Sequence, residues 1–172
     1  MTDNYPGLFD GAADPSAIVI NAIADEAIEI GAPVVVVAAG TGEYAPRVEP
    51  GNTGVESGDQ FVAGVVVGGD ANGIWVDGTT ANDGNAAAAA GDTVKLCTRG
   101  RCKVRVDGST GGANSNIAIG DPLSISGTDE VAKRAIATEF VFARALQATT
   151  AVQDAILCEV TLEGRQTELG AD

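Results

Sequence analysis

Half of the chain's positive charge sits in one short stretch: Lys95, Arg99, Arg101, Lys103 and Arg105 are five of its 10 basic residues. Val94, Leu96 and Thr98, then Cys102, Val104 and Val106, occupy the other parity. Side chains alternate across a strand, so this pattern puts cations on one face and apolar groups on the other. The sequence predicts two strands, 94–98 and 102–106, joined by a tight turn at 99–101. For the alternation to survive on both sides the loop must be odd in length, which pairs Leu96 with Val104 and Lys95 with Arg105. The product is a positive strip opposite the core that can dock an acidic partner surface. The plainer reading is a solvated face that relieves net repulsion.

The remaining residues with chemical potential do not assemble into a reaction centre. The chain has no histidine, which removes the commonest general base, the commonest zinc ligand and every Ser-His or Cys-His pair. Cysteines number 3, Cys97, Cys102 and Cys158. An odd count does not describe a disulfide scaffold, and without histidine it falls one ligand short of a structural zinc site. The hairpin register puts Cys97 and Cys102 on opposite faces, so they are expected to be unbonded, buried thiols. Asp25-Glu26 and Asp129-Glu130 are acidic pairs, but neither follows the order of a calcium-binding EF-hand loop. Glycine-rich 68–73 and 108–116 lack the Lys-Ser/Thr that completes a phosphate loop, and there is no G-x-S-x-G elbow. No catalytic, cofactor or metal residues are expected, and no enzyme activity.

These residues must be positioned by strands. Val and Ile together number 30 against 7 Leu, and β-branched side chains suit a pleated surface better than a helix. With 23 glycines to supply turns, the expectation is an all-β chain, a compact β-barrel or sandwich of short antiparallel strands behind an N-terminal arm. Residues 1–16 read as the arm, tied down through Tyr5, Leu8 and Phe9 as candidate contacts. Residues 17–162 read as the barrel domain and 163–172 as a polar tail. Strands are predicted at 17–22, 27–30, 33–38, 61–67, 74–76, 117–119, 123–126, 139–146 and 155–162. In 27–30, Ile28 and Ile30 point inward and Glu29 outward; in the last, Ile156, Cys158, Val160 and Leu162 share one face. Residues 129–148 carry helix-compatible composition, with the second half read as strand. Residues 79–91 read as a long exposed loop, its five alanines too short for a helix.

A glycine followed by a small or acidic residue and an apolar run recurs at Gly31, Gly58, Gly91 and Gly120. Glycine takes the unusual backbone angle and aspartate caps the turn before a strand begins. Recurrence at this spacing is consistent with a structural repeat, or simply with a common turn pair.

The charge bounds the partners. A formal net charge of −14, from 24 acidic and 10 basic residues, disfavours direct nucleic-acid binding, which needs clustered cations. A surface this acidic, with only Lys95, Lys103 and Lys133 as lysines, matches proteins that work in concentrated salt, where self-repulsion is screened. The longest apolar run is far below the ~20 residues of a membrane helix, so no membrane association is expected.

The order of features is similar to the capsid decoration (cement) proteins of tailed viruses, phage or haloarchaeal. The resemblance rests on AIEIGAPVVVV at 27–37, VAGVVVGG at 62–69, the GD-V strand pair with basic residues at 91–106, GD-PL at 120–125 and the ARALQA…AILCEVTL closure at 143–162. It implies a β-barrel subunit, often a homotrimer, seated on the outer capsid surface after synthesis in the host cytoplasm. Its partner would be the major capsid protein of the same virus, and its action the stabilisation of the shell by binding across capsomer junctions. The alternative is a virion spike or turret module recognising a host ligand. A small trimeric β enzyme acting on nucleotides is a third option, for which the needed Asp, Ser and Arg motifs are missing.

Overall fold

The computed structural model describes residues 13–37, 45–51, 62–69, 86–108, 116–126, 130–136, 139–151 and 154–165. Among them there is no helix. The strands are β1 (Ile18–Ala24), β2 (Ile28–Glu29), β3 (Pro33–Val37), β4 (Arg47–Pro50), β5 (Val62–Gly69), β6 (Ala86–Ala88), β7 (Thr93–Val106), β8 (Pro122–Ile125), β9 (Ala132–Arg134), β10 (Phe140–Ala145) and β11 (Asp154–Arg165). The expected all-β class is what the chain adopts.

Two closed rings of strands share β7. The first runs β1-β4-β3-β5-β7 and back to β1; the second runs β7-β11-β10-β8-β9 and back to β7. Neighbours in each ring are antiparallel except at one closure. There β1 lies parallel to β4 through Ala24↔Val48, and β7 lies parallel to β9 through Val106↔Ala132. Closing a sheet on itself leaves no free edge along the seam, which removes the template for edge-to-edge aggregation.

The rings are the same fold used twice. Matching strands by their place in each ring equates β1 with the second half of β7, β3 with β8, β4 with β9, β5 with β10, and the first half of β7 with β11. The equivalence extends to single hydrogen bonds. Gly31 N–H donates to the Val66 carbonyl at 2.8 Å, as Gly120 N–H does to Ala145 at 2.8 Å. Val66 N–H donates to Ala32 at 3.0 Å, as Ala145 N–H does to Asp121 at 3.0 Å. Gly51 to Pro33 (3.1 Å) matches Ala135 to Pro122 (2.8 Å), and Asp25 to Val48 (2.8 Å) matches Asp107 to Ala132 (2.7 Å). Positive-φ residues coincide as well: Gly31 with Gly120, and Gly100 (φ 104) with Leu162 (φ 50). Of the recurrent glycines, Gly31 and Gly120 open equivalent strands, Gly91 precedes β7 in a different role, and Gly58 lies outside the described residues.

Alternation fills both rings. Ala22, Ala24, Val34, Val48, Val94 and Leu96 are buried in the first; Val104, Val106, Leu123, Phe142, Ile156, Cys158 and Val160 are buried in the second. All belong to one continuous apolar cluster, the arrangement expected when valine and isoleucine dominate the core.

Three expectations need correction. The turn at 99–101 does not exist: 93–106 is one continuous 14-residue strand. Leu96 pairs with Ile20 and Val66, and Val104 with Ile156, so neither meets the other. Parity alone cannot distinguish a hairpin from a strand that passes straight through. Residues 86–88, read as loop, form β6 against β2 because Ile28 needs a cover, and Ala88 supplies it. Of 117–119, only Ile117 pairs, through a single bridge to Thr149. The strand predicted at 74–76 lies outside the described residues. The helix-compatible stretch forms β9 and β10, tertiary pairing overriding propensity.

Candidate functional site

The basic residues lie along β7, the strand that both rings share. Val94, Leu96, Cys102, Val104 and Val106 are buried, as the expected parity requires, but so are Cys97 and Arg105 of the other parity, while Thr98 is only half-buried. Gly100 has φ 104, and a Cβ on it would lie 2.9 Å from the Ala17 Cα, so side-chain residues are excluded by both backbone angle and space.

The five cations of the expected docking strip do not act together. Arg99 and Arg101 flank Gly100 and are exposed. Arg101 Nε reaches Glu159 Oε2 on β11 at 3.2 Å, a surface pair. Lys95 and Lys103 are half-buried, and Lys95 Nζ donates to Asn21 Oδ1 at 3.3 Å. Arg105 leaves the strip: only 6% exposed, it forms an ion pair with Glu29 of β2 through Nη1. Its backbone N–H donates to the Gly31 carbonyl at 2.9 Å. Arg105 therefore ties the first ring to the second, a role hidden in the sequence because Glu29 lies 76 positions away.

That junction carries a third charge. Glu130 has φ 56, and its Oε2 is buried without a hydrogen-bond partner. Burial pushes its carboxyl above the usual carboxylate range, and the Glu29 charge adds to the shift while Arg105 opposes it.

The expected arm contacts Tyr5, Leu8 and Phe9 lie outside the described residues. The segment from Ala13 onward is pinned to β7. Ala13 bridges to Cys102, and Asp14 N–H donates to the Arg101 carbonyl at 2.8 Å. Ser16 Oγ and N–H both donate to Asp14 Oδ1, at 2.5 and 2.8 Å; the hydroxyl first and then the N–H hold that carboxyl below its ordinary range.

The thiols are buried and free, as expected. Their separation by face is not what forms: both side chains are buried, and Cys102 pairs directly across from Cys158. Cys97 Sγ lies 3.6 Å from the Arg99 carbonyl and 3.9 Å from that of Gly100. Contact with Cys97 together with burial raises Cys102 well above the ordinary thiol range, and burial pushes Cys158 up to about 12.

A second buried polar network, missed in the sequence, closes the far side of the second ring. Glu139 accepts from Ser124 Oγ at 2.7 Å, Lys133 Nζ at 2.5 Å and Ile136 N–H at 2.9 Å. The cluster joins β8, β9 and the approach to β10, and each group has a partner, the condition under which buried charge is tolerated. Among the described residues no group of three or more cysteines and carboxylates is placed to hold a metal ion.

Fold and surface together define a class: an all-β protein of two fused barrels with apolar interiors, with exposed Arg99 and Arg101 on either side of a positive-φ glycine in the shared strand. No family model matches the sequence, and no curated protein does. Among solved structures the chain is similar to the head fiber gp8.5 N base of bacteriophage phi29. The match has 14% identity and a TM-score of 0.49, and covers 86% of this chain and 96% of that one. A likeness of this strength does not carry the neighbour's role to this chain.

Proposed function

We propose that this protein is a structural component of a virion, seated on the outer face of an icosahedral shell, where it stabilises the shell by binding across capsomer junctions. Its partners are the major capsid protein and further copies of itself, in a homotrimer. The observation that carries the reading is that both rings are filled by their own side chains: what the chain offers a partner is external area. The resemblance of its sequence to capsid decoration proteins supports the same reading. Its work is association, not catalysis, and a lattice repeats each contact so that modest affinity per copy becomes durable coverage.

Docking runs through Arg99 and Arg101, the cations exposed among the described residues of a chain with net charge −14. The acidic remainder keeps the protein soluble in concentrated salt. The test is occupancy on purified shells stripped of this protein. Wild type rebinds and raises the temperature at which the shells release DNA; R99E/R101E rebinds at least about tenfold more weakly, the cost of two repulsive charges at an interface. Equal occupancy for the variant refutes docking through this strand. Binding of wild type to host cells or glycans, and not to shells, replaces the proposal with the spike or turret reading.

A further inference from the structure

The duplicated fold gives each surface position of one ring a counterpart on the other, and one comparison is unequal. The turn Ile28-Glu29-Ile30-Gly31 corresponds to Ile117-Ala118-Ile119-Gly120. The first isoleucines match: Ile28 pairs with Ala88 and Ile117 bridges to Thr149, and both are buried. The second do not. Ile30 is 0% exposed and Ile119 is 72% exposed.

The cause lies in what each turn meets. The first ring's turn is seated on the second ring, with the Gly31 carbonyl taking Arg105 N–H and Glu29 pairing with Arg105. The second ring's turn has no third ring to meet within the described residues, and there the Gly120 carbonyl takes the Arg144 side chain of its own ring at 3.4 Å. End repeats of stacked folds normally carry polar residues where inner repeats are apolar. This one keeps isoleucine. Ala135 N–H bonds to the Pro122 carbonyl, which brings Ile136, 44% exposed, to the same end of the ring.

The first ring carries the complementary group. Ile18 and Ile20 share the inward parity of Ala22 and Ala24, but β1 begins to pair with β4 only at Ile23, so they run past its end. Val36, paired with Val48, belongs to the same face and the same end of the ring. Ile18, Ile20 and Val36 are 53%, 40% and 52% exposed. The five large hydrophobics exposed among the described residues thus fall into two patches, one per ring.

We propose that these patches join copies of this chain head to tail, Ile119 and Ile136 of one copy seating on Ile18, Ile20 and Val36 of the next. The contact uses the turn that corresponds to the one seating ring on ring within the chain, but it lands on the open ends of β1 and β3 and not on Ile23, the counterpart of Arg105, whose N–H already donates to the Pro46 carbonyl at 2.9 Å. A contact between two different patches closes into a ring of copies when its rotation allows. It is apolar where the internal junction is ion-paired, because Ala118 stands where Glu29 stands. A net charge of −14 opposes association, so association strengthens as salt screens it.

The inference deepens the self-association within the proposed function and does not depend on shell binding. Sedimentation equilibrium of the intact protein, at about 0.15 M salt and at salt high enough to shorten screening to ~3 Å, reads it directly. Wild type associates, more tightly at high salt. I119E and I136E each weaken association about tenfold by losing the burial of one large side chain, with circular-dichroism melting unchanged because both residues are exposed. I119E/I20K, which places opposite charges across the contact, recovers association relative to I119E. A monomeric wild type at both salts overturns the inference, and so does an I119E variant that associates like wild type. Shell occupancy is scored separately: a wild type that self-associates but does not rebind stripped shells refutes the shell-binding role and leaves this contact standing.

Discussion

Replacing Arg105 with alanine separates its structural role from the docking role that its position in the basic stretch suggests. The guanidinium side chain is 8% exposed and its partner Glu29 is 21% exposed. Removing one member of such a pair strands the other, at a cost of about 3–5 kcal/mol when both are fully buried. Glu29 keeps some contact with water, which places R105A near the lower limit, about 3 kcal/mol, or roughly a hundredfold in the folding equilibrium. Glu130 pushes in the same direction, since Glu29 then faces a second carboxylate without the intervening cation. Domains have roughly 5–15 kcal/mol in all, so the variant stays folded in water but loses on the order of 1–2 M in its urea midpoint. Restoring the balance tests the cause: E29Q/R105M, which removes both charges and keeps the apolar stem, is expected to regain more than half of the loss. The measurement is urea unfolding monitored by circular dichroism. The contrast is R101A, which breaks the exposed pair with Glu159 and changes stability by ~1 kcal/mol or less. A loss for R105A as small as that of R101A, or an E29Q/R105M variant no better than R105A, refutes the assignment of Arg105 as the tie between the rings.

The same geometry sets three other outcomes. Glu130 has a folded carboxyl raised above its unfolded value, so its contribution to stability is present below the unfolded carboxylate pKa of ~4.3 and is lost as pH rises through the raised value. E130Q is therefore expected to raise the melting temperature at pH 7 and to flatten melting temperature against pH above the unfolded carboxylate pKa of ~4.3; an unchanged profile counts against it. G100A meets Ala17 and a left-handed backbone angle together, and is expected to lose about 1–3 kcal/mol in urea unfolding. Native protein at pH 8 is expected to leave Cys102 and Cys158 unlabelled by a thiol reagent, their thiols being raised. All three cysteines should label in denaturant, and non-reducing mass spectrometry should find no bridge.

The strand elements were legible where a residue's two neighbours in the sequence report its environment. β11 shows this: Ile156, Cys158 and Val160 alternate and are buried, because a strand with one face in a core repeats every two residues. Ile28 and Ile30 around a half-buried Glu29 were readable in the same way. The basic stretch was readable in its parity and misread in its course. One glycine with positive φ serves a tight turn and a continuous strand equally well, and only the partners on either side distinguish them. β1, β5 and β11, which hold 93–106 extended, come from positions tens of residues away.

Composition and alternation alone settled that this chain builds β structure around a valine-rich interior, that its exterior is acidic, and that histidine-dependent chemistry is closed to it. Those properties belong to single residues and their immediate neighbours. The tertiary structure decided that 93–106 is a spine serving two barrels, that the fold is used twice, that Arg105 is a buried tie and not a docking cation, and that Ile119 faces outward while its counterpart Ile30 is covered. Each depends on which distant strand lies alongside. Ring closure fixes that through cooperative hydrogen bonding between segments whose sequences, taken one at a time, carry no mark of their partners.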